Sequence, residues 1–168
     1  MKINILRIRN APGEKLSFDL SKPFNGIGAN GQRFTFTTPV EATGEVVNRN
    51  DLFQVKGVTR ATVSTNCVNC LEPFELKLQG FLEEGYTRLD DELIKDPDSE
   101  LVGFDGDFID IEPEVIKSLL MELPMRLVCA PDCRGLCQRC GSNLNVQWCN
   151  CQKDDIDPRL AVLKKLQQ

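Results

Sequence analysis

The 168-residue chain contains no histidine. Its absence removes the commonest general acid or base at neutral pH. It also excludes every Ser-His and Cys-His nucleophile arrangement. Catalysis would have to run on carboxylates, lysines or bare thiolates. Long hydrophobic runs are missing too: none approaches the ~20 apolar residues needed to span a bilayer, so no membrane partner is expected. The opening segment Met1-Lys2-Ile3-Asn4-Ile5-Leu6-Arg7 is too poor in apolar residues to be a secretory signal. Without one, the expected compartment is the cytoplasm, a reducing setting in which structural disulfides are rare.

What is present is a globular composition, 41% hydrophobic and 27% charged, which argues against wholesale disorder. A chain of this length buries a core without staples. The 8 cysteines are therefore not a remedy for a core that is too small, and in a reducing compartment they favour metal binding.

The net charge of −5 is unevenly spread. Residues 1–81 hold ten Lys and Arg against seven Asp and Glu, whereas residues 82–114 hold two against thirteen. Residues 126–168 return to seven against four. The acidic stretch, with Asp90, Asp91, Glu92, Asp96, Asp98, Glu100, Asp105 and Asp107, reads as a solvated loop over 82–112, or as a contact for a basic partner such as a ribosomal protein. An acidic total does not exclude nucleic-acid binding, which needs only a local basic face.

Short alternating or β-former-rich segments predict strands at residues 2–9, 16–20, 33–38, 40–47, 52–58, 59–65 and 74–78, and residues 81–87 can continue the sheet. The fragment Gly26-x-Gly28-x-x-Gly31 has the spelling of a nucleotide loop but no strand-to-helix context, and it reads as a plain loop. Pro113 and its acidic neighbours predict a helix start. Val115, Ile116, Leu119, Leu120 and Leu123 line one face of a core helix near 113–123 that Pro124 stops. Asp157-Pro158 predicts a short C-terminal helix carrying Leu160, Leu163 and Leu166. The expected fold class is α+β: a mainly antiparallel twisted sheet or partly open barrel with a core helix (1–128), followed by a small zinc-ribbon-like module and the short helix (129–168).

Tetrahedral zinc takes four soft ligands, and a Cys-x-x-Cys turn supplies two of them from one tight loop. Cys137-Gln138-Arg139-Cys140-Gly141 followed by Cys149-Asn150-Cys151 forms a nearly self-contained set, with Gly141 freeing the knuckle backbone. Elimination leaves Cys67 and Cys70, at the end of a strand, to share a site with Cys129 and Cys133. Interleaved pairings stay open, with Cys133 replacing Cys137. A four-thiolate zinc site carries a formal charge of −2, so Arg126, Arg134 and Arg139 are favourable neighbours. Two filled sites would be structural, since catalytic zinc keeps a position open. Thiol-redox chemistry at Cys67 and Cys70 lacks the βαβ context it needs, and the spacings do not match iron–sulfur runs.

Three stretches carry a resemblance: Cys67-Val68-Asn69-Cys70-Leu71-Glu72-Pro73-Phe74, the helix end Leu123-Pro124, and the tail from Asp132-Cys133-Arg134-Gly135-Leu136-Cys137 through Asn145, closing at Asp157–Leu163. Together they resemble the YceD family, the large ribosomal RNA subunit accumulation proteins of bacteria and plastids. Asn69 departs from the basic residue often found inside that mid-chain pair. The resemblance implies a role in accumulation or maturation of large-subunit ribosomal RNA. The expected function is a non-enzymatic assembly factor with two structural zinc ions and no small-molecule substrate. It would bind precursor RNA, an assembly protein, or both. Arg126, Arg134, Arg139, Lys153, Arg159, Lys164 and Lys165 are the candidate RNA contacts. The alternatives are an acidic adaptor for a basic ribosomal protein and, further off, a thiol oxidoreductase.

Overall fold

The computed structural model describes residues 1–29, 31–50, 52–89 and 100–151. Its strands are β1 (Lys2–Asn4), β2 (Lys15–Lys22), β3 (Ile27–Ala29), β4 (Gln32–Phe36), β5 (Val40–Arg49), β6 (Leu52–Asn66), β7 (Pro73–Arg88), β8 (Val102–Phe104) and β9 (Phe108–Asp110), followed by the helix α1 (Glu112–Met121). The expected α+β class with a mainly antiparallel sheet and one short helix is what the described residues form, and the sheet does not close into a barrel.

The long hairpin of β6 and β7 is the spine of the fold. The two strands pair antiparallel in one unbroken register, from Phe53 opposite Tyr86 to Asn66 opposite Pro73. Alternation explains the register: Phe53, Val55, Thr59, Ala61 and Val63 point inward from β6, as do Leu78, Leu82 and Tyr86 from β7. On the other side of β6, β5 pairs with its first half and β4 with its second. The step between them lies at Thr37, whose N–H donates to the Thr62 carbonyl, while the Thr38 hydroxyl accepts from the Thr62 N–H. β2 flanks β5, and β8 adds in parallel to the end of β7. β1 and β9 form a separate two-stranded pair.

Several sequence expectations need correction. Residues 52–58 and 59–65 are one strand rather than two, because Val58-Thr59 carries no turn residue. The strand expected over 2–9 ends at Asn4, whose side chain accepts the Leu6 N–H and turns the chain. The Gly26–Gly31 segment is not a plain loop: β3 pairs with β4 across Gly31, which has φ +74. The acidic 82–112 segment is not a loop throughout, since β7 runs on to Arg88, with Leu82 and Tyr86 inward and Glu83 outward, and β8 and β9 follow. Of the acidic residues, Asp90, Asp91, Glu92, Asp96 and Asp98 lie outside the described residues, as does the expected C-terminal helix.

α1 begins where expected, with Pro113 in its first turn and Glu112 and Glu114 beside its positive end. It lays Val115 and Leu119 into the core and approaches the hairpin at one place closely enough to require glycine. A Cβ on Gly80 would stand 2.8 Å from the Ser118 carbonyl oxygen and 2.7 Å from the Thr59 hydroxyl. The Thr59 and Ser118 hydroxyls share a buried 2.8 Å hydrogen bond beneath it. Gly80→Ala is therefore expected to lower stability by about 1–3 kcal/mol through overpacking. The readout is a lower urea midpoint with an unchanged m-value. Among the described residues, no helix is long and apolar enough to cross a membrane.

Candidate metal centres

The turn at the tip of the β6–β7 hairpin is the first cysteine pair. Cys67 N–H donates to the Glu72 carbonyl and Leu71 N–H to the Cys67 carbonyl, both at 2.9 Å. The same two bonds recur seventy residues later: Cys137 N–H to the Ser142 carbonyl and Gly141 N–H to the Cys137 carbonyl, again 2.9 Å each. The residue after each second cysteine has positive φ, 63° at Leu71 and 71° at Gly141. The chain thus builds the same knuckle twice. Glycine takes this backbone freely, whereas a leucine does so at a cost of roughly 1–2 kcal/mol. The first knuckle is paired to long strands on both sides, and that pairing holds Leu71 there.

The segment after α1 then docks on the first knuckle. Val68 N–H donates to the Leu127 carbonyl at 2.8 Å, and the Leu127 side chain is buried. Arg126 Nη2 donates to Asn69 Oδ1 at 3.0 Å, and Asn69 Nδ2 to the Cys133 carbonyl at 3.4 Å. These contacts place Cys129 and Cys133 over the hairpin tip. Cys67 Sγ lies 3.8 Å from Cys133 Sγ, and Cys70 Sγ lies 3.7 Å from Cys129 Sγ. Within Cys67, Cys70, Cys129 and Cys133 all four sulfurs fall within 4.8 Å of one another, and the same holds for Cys137, Cys140, Cys149 and Cys151. The interleaved pairing, with Cys133 in the second set, is not the arrangement formed.

The sulfur spacing tests whether a metal fits. Disulfides need about 2.05 Å between sulfurs, and all eight cysteines are free thiols. Four sulfurs at about 2.3 Å from a central tetrahedral ion would stand about 3.8 Å apart, which matches the two separations above. The acid–base behaviour of the thiols points the same way. Burial works against ionisation of Cys67, but backbone N–H groups of Cys70, Cys129 and Asn69 overcome it and bring the thiol down to about 6. Cys137 falls to about 6 through backbone N–H groups of Cys140 and Arg139. Other members of the sets go the other way: Cys129 is pushed up to about 12, chiefly by Cys133, and Cys151 to about 12, chiefly by Cys140. Each set thus pairs thiols whose ionised form is favoured, Cys67 in the first and Cys137 and Cys140 in the second, with thiols held protonated, Cys70 and Cys129 in the first and Cys149 and Cys151 in the second. Four thiolates can coexist at this spacing only around a cation, so both sets could hold a metal ion.

Of the other candidate residues, the described ones are Arg126, Arg134 and Arg139, all exposed. Lys153, Arg159, Lys164 and Lys165 lie outside the described residues. The structure adds a group that spacing arguments did not single out. Trp148, the residue before Cys149, is 83% exposed, and the Arg134 guanidinium lies 4.8 Å from its ring centroid. A large aromatic fixed on the surface beside a metal-ligand position is a binding-surface signal. The single Trp of the sequence next to a cysteine was the available hint. Asn145, which reads in the sequence only as a loop residue of the second set, reaches the first tetrad with its side chain.

The sequence profile described as Large ribosomal RNA subunit accumulation protein YceD matches residues 55–167, from within β6 through the cysteine-rich tail. An uncharacterised protein of Mycobacterium tuberculosis is 34% identical over 113 residues, covering 67% of this chain and 54% of that protein. The chain thus spans about half the length of its mycobacterial relatives. The protein YlbN of Bacillus subtilis is 28% identical over 171 residues, covering 99% of this chain and 96% of its own. The chloroplastic Large ribosomal RNA subunit accumulation protein YCED homolog 1 of Arabidopsis thaliana is 25% identical over 161 residues, covering 78% of this chain and 49% of that protein. No solved structure matches the chain.

Proposed function

Because the chain belongs to the YceD family of large ribosomal RNA subunit accumulation proteins, we propose that it is a non-enzymatic, cytoplasmic factor in large-subunit biogenesis. In this reading it contacts precursor ribosomal RNA through a zinc-braced surface. The observation that carries the metal half is the pair of four-cysteine sets, each with its sulfurs within 4.8 Å of one another. Zinc suits them best: all-thiolate tetrahedral donor sets favour zinc or iron–sulfur clusters, and these spacings are not those of ferredoxin runs. Four sulfurs fill each site and leave no position for a reacting water, which supports a structural role.

The RNA half rests on family membership and on what the tail presents. The 129–168 module on the 1–128 sheet domain carries Arg134 stacked on Trp148, with Arg126 and Arg139 exposed nearby in sequence. Metal-closed loops hold such side chains with little entropy left to lose on binding. Lys153, Arg159, Lys164 and Lys165 add positive charge from the remainder of the tail. The second reading, an acidic adaptor for a basic ribosomal protein, is favoured by the −11 balance of residues 82–114.

Two measurements test the proposal. Protein purified reduced and without chelator should hold two zinc ions per chain by elemental analysis, and one or none would overturn the two-site reading. Tagged protein should sediment with large-subunit precursors, and cross-links should map to RNA. Cross-links confined to a ribosomal protein would transfer the proposal to the adaptor reading.

A further inference from the structure

The two four-cysteine sets meet through one side chain. Asn145 belongs to the loop that the second set closes, between Cys140 and Cys149. Its Nδ2 nevertheless donates to Cys133 Sγ, a sulfur of the first set, at 3.3 Å. Its Oδ1 accepts the N–H of Arg134, the residue after Cys133, at 2.8 Å. Asn145 is held in turn by its own N–H, which donates to Asn143 Oδ1 at 3.0 Å. Asn143 then reaches the first knuckle, donating to Glu72 Oε1 at 3.4 Å.

The backbone closes the same junction. Leu136 N–H donates to the Asn69 carbonyl and Leu144 N–H to the Gly135 carbonyl, at 3.1 and 2.9 Å. Gly135, at φ +73, packs so tightly on Asn69 that a Cβ there would stand 2.9 Å from the Asn69 carbonyl oxygen. The loop of the second set is thus built against the first set, rather than hung from it by a linker.

We infer that the two metal centres are interlocked, with Asn145 as the positioning residue that lets occupancy of each site strengthen the other. The inference rests on the reading of both sets as metal sites. A side-chain N–H donated to a thiolate sulfur stabilises the ligand form of Cys133 and fixes its direction. Outer-shell partners of this kind are worth about 10–100-fold in metal affinity. The second metal supplies the closed loop that aims Asn145. Linkage makes the effect reciprocal, so whatever factor the second metal adds to the first site, the first returns to the second.

The test is a competitive chelator titration with zinc and, in parallel, cobalt(II), whose thiolate charge-transfer band reports the sulfurs directly. Asn145→Ala should weaken the first site by about 10–100-fold and shift that band, with no loss of fold because the residue is exposed. Asn145→Asp keeps the acceptor for Arg134 but replaces the donor with a carboxylate facing the sulfur. It should weaken the first site at least as much, which separates the thiolate contact from loop positioning. Cys140→Ser, which opens the second set, should also weaken the first. In that background Asn145→Ala should add little, because the loop that aims it is already released. First-site affinity within twofold of wild type in all three single variants would overturn the interlock. So would equal effects of Asn145→Ala in both backgrounds. In either case two bound metals would leave the zinc reading standing. A wild-type chain that takes up no metal would overturn both.

Discussion

Cys70→Ser is expected to lose a zinc ion and to lower the melting temperature of the whole sheet domain, far beyond its hairpin tip. Cys70 is buried where β6 turns into β7, and its sulfur faces Cys129, 59 residues later in the chain. A metal there ties the end of the spine to the segment that leaves α1. Structural zinc in small modules binds with about 10–16 kcal/mol, comparable with the ~5–15 kcal/mol that holds an ordinary domain together. Even if only about 4 kcal/mol of that is felt by the folded state, the melting temperature should fall by roughly 8–16 °C for a chain of this size. Chelation of the wild-type protein should produce a similar loss at the first site. Retention of the melting temperature within 2 °C (about 1 kcal/mol) after verified loss of the ion would show that strand pairing alone sustains the tip.

The contrast between the two knuckles shows what a sequence can and cannot disclose. Gly141 after Cys140 is legible because a left-handed residue beside a cysteine pair is expected to be glycine. Leu71 occupies the same backbone state with no such mark, because the long hairpin rather than the residue enforces it. The grouping of cysteines was legible by elimination and agrees with the sets formed. Asn145 was not, since a contact between the two sets depends on how the tail folds back. The same limit applies to the strands. Alternation located β2 and the start of β7, and β-former content located β4 and β5, whereas the fusion of 52–58 with 59–65 depends on β7 pairing along the full length of the strand. Acidic composition suggested a loop at 82–112, but outward Glu83 and inward Leu82 and Tyr86 are what a sheet with one solvated face requires.

Reversal of Arg134, Arg139 and Lys153 to Glu is expected to weaken association with large-subunit precursors by at least about tenfold and to flatten its salt dependence, with zinc content and fold intact. Each phosphate contact to single-stranded RNA contributes about −0.7 to the slope of log affinity against log salt, so up to three lost contacts should reduce that slope by up to about 2. Charge alone, however, makes a weak clamp here. Two loaded four-thiolate sites would each carry a formal −2, against Arg126, Arg134 and Arg139 in the described part of the tail. Unpaired bases, which present neutral faces, are the chemistry this surface suits, and the exposed Trp148 ring beside Arg134 offers them a stacking partner. Trp148→Ala should therefore weaken binding by about 5–100-fold, the usual range for one stacked base, while Trp148→Phe retains most of it. As Trp148 is the single tryptophan of the chain, its emission should be quenched by single-stranded oligonucleotides of the precursor. If binding survives the triple reversal and Trp148→Ala but is lost when Asp90, Asp91 and Glu92 are neutralised, the primary partner is a basic protein and the tail is a brace rather than an RNA contact.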